Sequence, residues 1–86
     1  MNINDVVVNR PLARQIEADI DNAAVDRFTA AMKEKLQQKR LQGRGGWYEP
    51  FFTVSDCKRL LVEHIEKGDM LDIANFAMFL WHKRGD

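Results

Sequence analysis

Residues 53–84 read TVSDCKRLLVEHIEKGDMLDIANFAMFLWHKR, and this stretch decides the fold. Thr53 followed three residues later by Asp56 forms a capping box, with a shorter acid than the usual Glu, so a helix starts there. Cys57, Leu60, Leu61, His64 and Ile65 then recur at helical spacing and give that helix one apolar face. Gly68 ends it. Asp69 opens the next helix at once, and Asp72 follows as a first-turn acid answering the helix dipole. From Met70 to Trp81 that second helix is apolar nearly all round, interrupted only by Asp72 and Asn75. Two helices joined by one glycine make a tight C-terminal hairpin. A helix without a polar face needs cover on most sides, more than a small chain supplies, so a helical dimer is expected.

Upstream of the hairpin, residues 43–54 are a loop of unusual composition. Gly43-Arg44-Gly45-Gly46-Trp47-Tyr48-Glu49-Pro50-Phe51-Phe52 sets three glycines against four aromatics. The rings must be buried or must bind something. Before it, Ala24, Val25, Phe28, Ala31, Met32 and Leu36 mark an amphipathic helix running to about Leu41 and stopped by Gly43. Its polar side carries Lys33, Lys35, Lys39 and Arg40. Earlier still, Leu12, Ile16 and Ile20 form a narrow stripe on a helix that starts at Asn9-Arg10-Pro11. Whether Asp21-Asn22 breaks this helix from the next is open, so the expected architecture is all-α with three to four helices. Residues 1–9, with Val6-Val7-Val8 and no partner strand nearby, read as an extended N-terminal arm, leaving 10–86 as a single helical domain.

Composition narrows the function classes. The chain has 86 residues, 45% of them hydrophobic, with 13 Lys+Arg balancing 13 Asp+Glu. A single cysteine, Cys57, excludes a disulfide framework and a Cys-based zinc site, and suits a reducing cytoplasm. A net charge of zero argues against broad nucleic-acid binding. No stretch is long and apolar enough to span a bilayer, and the first residues lack a secretory pattern.

Several residue groups invite chemistry. Glu63, Glu66, Asp69 and Asp72 lie within ten residues across the hairpin turn. Such a cluster suits Mg²⁺, which prefers carboxylate and water oxygens. The plainer reading makes Asp69 a helix cap, Asp72 a dipole partner, and Glu63 and Glu66 a solvated face. His64, on an apolar face, reads more readily as a core or interface histidine than as a ligand. Asn75 is a polar group in apolar company, so it either specifies helix pairing or faces a ligand. Lys39, Arg44 and Trp47, joined by Asn75, form a candidate phosphate or nucleotide site: cations for phosphate and a ring for a base. Alternatively, Trp47 plugs the core and the basic run is a solvated face, neutralised by acids of the C-terminal half. Trp47, Tyr48, Phe51, Phe52, Phe76, Phe79 and Trp81 are the candidate protein-interface residues, since aromatic side chains concentrate at interface centres.

The motifs Gly43-Arg44-Gly45-Gly46-Trp47, Glu63-His64-Ile65-Glu66-Lys67-Gly68-Asp69 and Asp72-Ile73-Ala74-Asn75 resemble those of a family of small phage and prophage proteins. The likeness covers roughly residues 28–85. The same order of features also looks like part of the phage MazG-like dATP/dGTP pyrophosphohydrolases, whose all-α metal site cleaves nucleoside triphosphates. That resemblance implies Mg²⁺ and carries over Glu63 and Glu66 with Asp72 and Asn75. Val62 stands where the MazG pattern has a further Glu, Asn75 stands where it has Asp, and the gap between the pairs is shorter. The expectation is therefore a cytoplasmic protein of a bacterial host cell that binds a host or phage protein, in host takeover or counter-defence. The alternative is a Mg²⁺-dependent nucleotide pyrophosphohydrolase or a degenerate relative of one.

Overall fold

The computed structural model describes residues 11–84 as three helices: α1, Pro11–Leu41; α2, Val54–Lys67; and α3, Met70–Arg84. The extended arm expected at residues 1–9 and the Asn9 cap lie outside the described residues. The all-α class and the C-terminal hairpin stand as expected from the sequence.

Helix α1 runs through Asp21-Asn22 without a break. Asp and Asn each cost only a fraction of a kcal/mol, on the order of 0.7, in a helix interior, and good formers flank them at Glu17, Ala18, Ala23 and Ala24. No Gly or Pro intervenes between Leu12 and Leu41. The Gln15 amide also donates to Asp19 Oδ1 one turn on, at 3.1 Å. The helix count among the described residues is therefore three.

The ends of the elements follow their chemistry. At Gly43 the backbone turns left-handed, φ 79°. The Arg44 N–H then reaches the Lys39 carbonyl at 2.9 Å, and the Gly43 N–H reaches that of Arg40 at 3.0 Å. This is a Schellman closure, and a side chain at Gly43 would strain it. Both halves of the Thr53 box form: the Asp56 N–H donates to Thr53 Oγ1 at 3.1 Å, and the Thr53 N–H to Asp56 Oδ2 at 3.0 Å. Gly68, also left-handed, caps α2 by donating to the His64 and Ile65 carbonyls. Asp69 caps α3 through Oδ1, which accepts the Asp72 N–H at 3.0 Å.

Packing is uneven. Helices α2 and α3 lie against each other along the hairpin, and α1 packs on α3 but not on α2. Thirty-one residues make α1 about 46 Å long, close to the 49 Å long axis of the molecule, whereas α3 spans only about 22 Å. The first half of α1 thus overhangs, with Leu12, Ile16, Ile20 and Val25 exposed. Ile16 and Met32 are sixteen residues apart. At about 100° per residue they point roughly 160° apart around the helix, so the overhanging stripe faces away from α3.

Among the described residues only Cys57, Asp72, Asn75 and Phe79 are buried. Cys57 is a core residue, as its helical position suggested, and its thiol donates to the Phe76 carbonyl at 3.3 Å. The all-round burial expected of α3 is not met within one protomer. Met70 and Trp81 are exposed, and only three positions of that helix are buried.

Burial also pushes the Cys57 thiol pKa up, above its ordinary value, so little of the reactive thiolate forms. Cys57 is expected to resist a thiol reagent such as Ellman's at pH 8 in the native protein and to react as urea unfolds it. Fast labelling without denaturant would contradict the packing of α2 on α3.

Candidate functional site

Two neighbouring features could carry function: the charged junction at the start of α3, and the cleft between α1 and α2.

At the junction, successive turns of α1 present Lys35 and Lys39 to the first turn of α3. Lys35 Nζ donates to Asp69 Oδ2 at 3.1 Å and stands 3.9 Å from Asp72 Oδ2. Lys39 Nζ lies 2.7 Å from Asp72 Oδ1 as an ion pair, off the line of a hydrogen bond. His64 Nδ1 lies 2.8 Å from the Leu60 carbonyl and must donate to it, which leaves Nε2 turned toward Asp72 Oδ2 at 3.9 Å. One turn further along α3, the Asn75 amide donates to the Met32 carbonyl of α1 at 3.3 Å, while its Oδ1 has no hydrogen-bond partner.

This arrangement matches the plainer of the two readings of the acids, with Asp69 as a helix cap and Glu63 and Glu66 on an exposed face. Asp69 and Asp72 meet lysines. Glu63 pairs with Arg59 at 3.3 Å on the outer face of α2, and Glu66 is exposed. Among the described residues no group of three or more His, Cys, Asp or Glu side chains gathers as a metal ion would require. The reason is register. Residues three apart on α2 keep Glu63 and Glu66 on the outer side, while the Gly68 turn carries Asp69 and Asp72 to the α1 side. Asn75 takes the helix-pairing role, one of the two readings its sequence position offered. It is 2% exposed, fastens α3 to α1, and does not line the cleft.

The cleft exists because α1 and α2 do not touch. Its volume is about 370 Å³. Leu36, Lys39 and Arg40 form one wall and Leu60 and His64 the other; Phe76 and Phe79 form the floor. The loop closes it with Arg44, Gly45, Gly46, Trp47, Tyr48, Phe51 and Phe52. Trp47 is the loop's anchor: its ring stacks on Phe79 at 4.7 Å between centroids, with planes 9° apart. Lys83 ties the loop to α3, donating to the Glu49 carbonyl at 3.2 Å and sitting 5.4 Å from the Phe52 ring centre. Tyr48 and Phe51 remain 69% and 76% exposed.

Of the expected nucleotide set, Lys39, Arg44 and Trp47 come together here and Asn75 does not. Of the expected interface aromatics, Tyr48, Phe51 and Trp81 are exposed and Trp47, Phe52 and Phe76 half-buried. Phe79 is core. Arg40, Leu36, Leu60 and His64 join the cleft without having been singled out as its walls. Their convergence depends on how α1 crosses α3, which no local spacing encodes. No protein-family model, curated protein or solved structure matches the chain.

The junction also sets a pH dependence. The Asp72 amide, then Lys35, hold the Asp69 carboxyl below its ordinary 3.8, and the Thr53 backbone and hydroxyl do the same for Asp56. The bond from Lys35 to Asp69, then the charge of Asp72, raise the Lys35 ammonium above its ordinary 10.5. Lowered carboxyl values give stability that is present above 3.8 and is lost as pH falls through the folded values. The raised lysine gives stability that is present below 10.5 and is lost as pH climbs through its folded value. Urea midpoints should therefore be flat around neutrality and fall below about pH 4 and above about pH 10. The acid fall should shrink in Asp56→Asn/Asp69→Asn, and an unchanged acid limb in that variant would refute the assignment.

Proposed function

We propose that this chain is a small helical binding protein that engages another protein in the cytoplasm of a bacterial host, in host takeover or counter-defence. The single observation that carries the reading is the pairing of Lys35 and Lys39 with Asp69 and Asp72, beside a cleft whose aromatics Tyr48 and Phe51 stay open. Carboxylates already neutralised by lysine ammonium groups are poor ligands for Mg²⁺, whereas exposed aromatic side chains are what interface centres use. Among the described residues no helix is long and apolar enough to cross a membrane.

The protein works as a homodimer in this reading, with the stripe of Leu12, Ile16 and Ile20 on α1 covered by a second copy. A helical overhang with no tertiary partner is marginal in water, because most helix stability comes from packing of the apolar face. The rival reading is a Mg²⁺-dependent nucleoside triphosphate pyrophosphohydrolase or a degenerate relative. It draws on Lys39, Arg44 and Trp47 sharing one cleft, and it requires Lys35 and Lys39 to release the acids.

Three measurements separate these readings. The protein should release no pyrophosphate from any deoxynucleoside triphosphate with Mg²⁺ or Mn²⁺; turnover would transfer the assignment to the rival. A specific protein should co-purify from bacterial lysate and be lost in Tyr48→Ala/Phe51→Ala, which touches no buried residue. Sedimentation should give a dimer that Ile16→Glu/Ile20→Glu dissociates, whereas a monomeric wild type would remove the dimer from the reading.

A further inference from the structure

We infer that the cleft between α1 and α2 takes a short acidic segment of the partner protein carrying one bulky apolar side chain. This rests on the binding reading above and specifies its ligand.

The interior of the cleft is apolar. Leu36 and Leu60 face each other across it, Phe76 lies beneath, and Phe51 and Phe52 stand at the loop side. At about 370 Å³ it lies near the small end of ligand clefts, roughly 300–1,000 Å³, with room for one anchoring side chain and the backbone beside it. A bulky apolar anchor seated in a desolvated pocket is the usual source of energy in a protein interface.

The charge around that interior is of one sign. Among the described residues, the basic side chains that line the cleft are Lys39, Arg40, Arg44 and His64, and no carboxylate lines it. Lys39 is committed to Asp72. Neither the Arg40 nor the Arg44 guanidinium has a carboxylate partner among the described residues. The chain as a whole has a formal net charge of zero, so this excess is local to the cleft rather than a property of the protein. Arginine is the residue suited to bidentate pairing with carboxylates, and two arginines with no carboxylate partner among the described residues, set beside an apolar slot, match acids flanking an apolar anchor.

The lining chemistry favours a peptide over a nucleotide. A nucleobase brings ring nitrogens and exocyclic groups that need fixed donors and acceptors once buried. Among the described residues the cleft offers no Ser, Thr, Asn, Gln, Asp or Glu side chain for them; its polar side chains, Lys39, Arg40, Arg44, Trp47, Tyr48 and His64, are nearly all donors. Asn75, the amide nearest in sequence to the role, is turned to Met32. His64 Nδ1 is bonded to Leu60, and its Nε2 faces Asp72. An apolar side chain asks for none of these partners.

The test uses the full chain and fluorescence anisotropy with three probes: fluorescein-labelled Glu-Glu-Phe-Leu-Glu, its counterpart Lys-Lys-Phe-Leu-Lys, and a fluorescent ATP analogue. The acidic peptide should bind at least about tenfold more tightly than the basic one, and its affinity should fall several-fold as salt rises. Arg40→Gln/Arg44→Gln should lose about tenfold, and Arg40→Glu/Arg44→Glu more. Both arginines are exposed, and helical circular dichroism checks that each variant folds. Equal affinity for the two peptides, binding of neither, or preferential binding of the ATP analogue each overturns the inference. Lysate capture separates it from the broader reading. If the arginine variants still retain the partner that wild type captures, the cleft assignment falls and the binding function stands. If wild type captures no partner, the broader reading falls whatever the peptides do.

Discussion

Asp72 receives Lys39 Nζ at 2.7 Å and Lys35 Nζ at 3.9 Å, and one turn further along α3 Asn75 donates to the Met32 carbonyl. These contacts fasten α1 to the hairpin, and the rest of the molecule depends on them because the apolar core is so small. Of the four buried residues among those described, the two apolar ones lie on the hairpin itself, Cys57 on α2 and Phe79 on α3. The two polar ones are those that face α1. Removing one partner of a buried polar contact leaves the other desolvated and unpaired, which costs about 1–3 kcal/mol. In a domain with little apolar burial to spare, that is a large share of the whole.

A polar fastening is directional in a way that apolar packing is not. Lysine ammonium groups four residues apart on α1 match two carboxylates three residues apart at the start of α3, and this match sets the height of α1 along the hairpin. Burying charge is not in itself a strong source of stability, because desolvation offsets much of the Coulomb gain. Its value here is positional. It holds α1 against α3 alone, and the side of the bundle where α1 and α2 would meet stays open as the cleft. Trp47, stacked on Phe79, then spaces the loop across that opening without filling it.

Local chemistry was legible where it is complete within a few residues. Thr53 with Asp56, the Gly43 and Gly68 stops, and the Asp69 cap are settled by their neighbours in sequence, and the hairpin follows from them. The Asp21-Asn22 pair was ambiguous because a weak local penalty competes with strong helix formers on both sides. Glu63 and Glu66 do not meet Asp69 and Asp72, although near them in sequence, because the Gly68 turn between them reverses direction. Asn75 shows the limit most clearly. Its polarity in an apolar helix announced that a partner exists, but the partner, a carbonyl on α1, lies forty-three positions away. The walls of the cleft are legible only after that contact is made.

The same crossing explains how a basic run on one helix serves two ends. Lys35 and Lys39 are four residues apart and share the face turned to α3, where Asp69 and Asp72 absorb their charge. Arg40, one residue beyond Lys39, points roughly 100° away around the helix. Arg44 follows the Gly43 turn and joins it at the cleft. A formal net charge of zero therefore hides a division of labour. The acids at the start of α3 neutralise the inward cations and, among the described residues, leave the outward pair without carboxylate partners. Had the acids instead faced Arg40 and Arg44, Lys39 would be the cleft's unpaired cation and the bidentate recognition that arginine gives a carboxylate would be lost. Because they do not, its electrostatic bias is fixed by the contacts that hold the fold together.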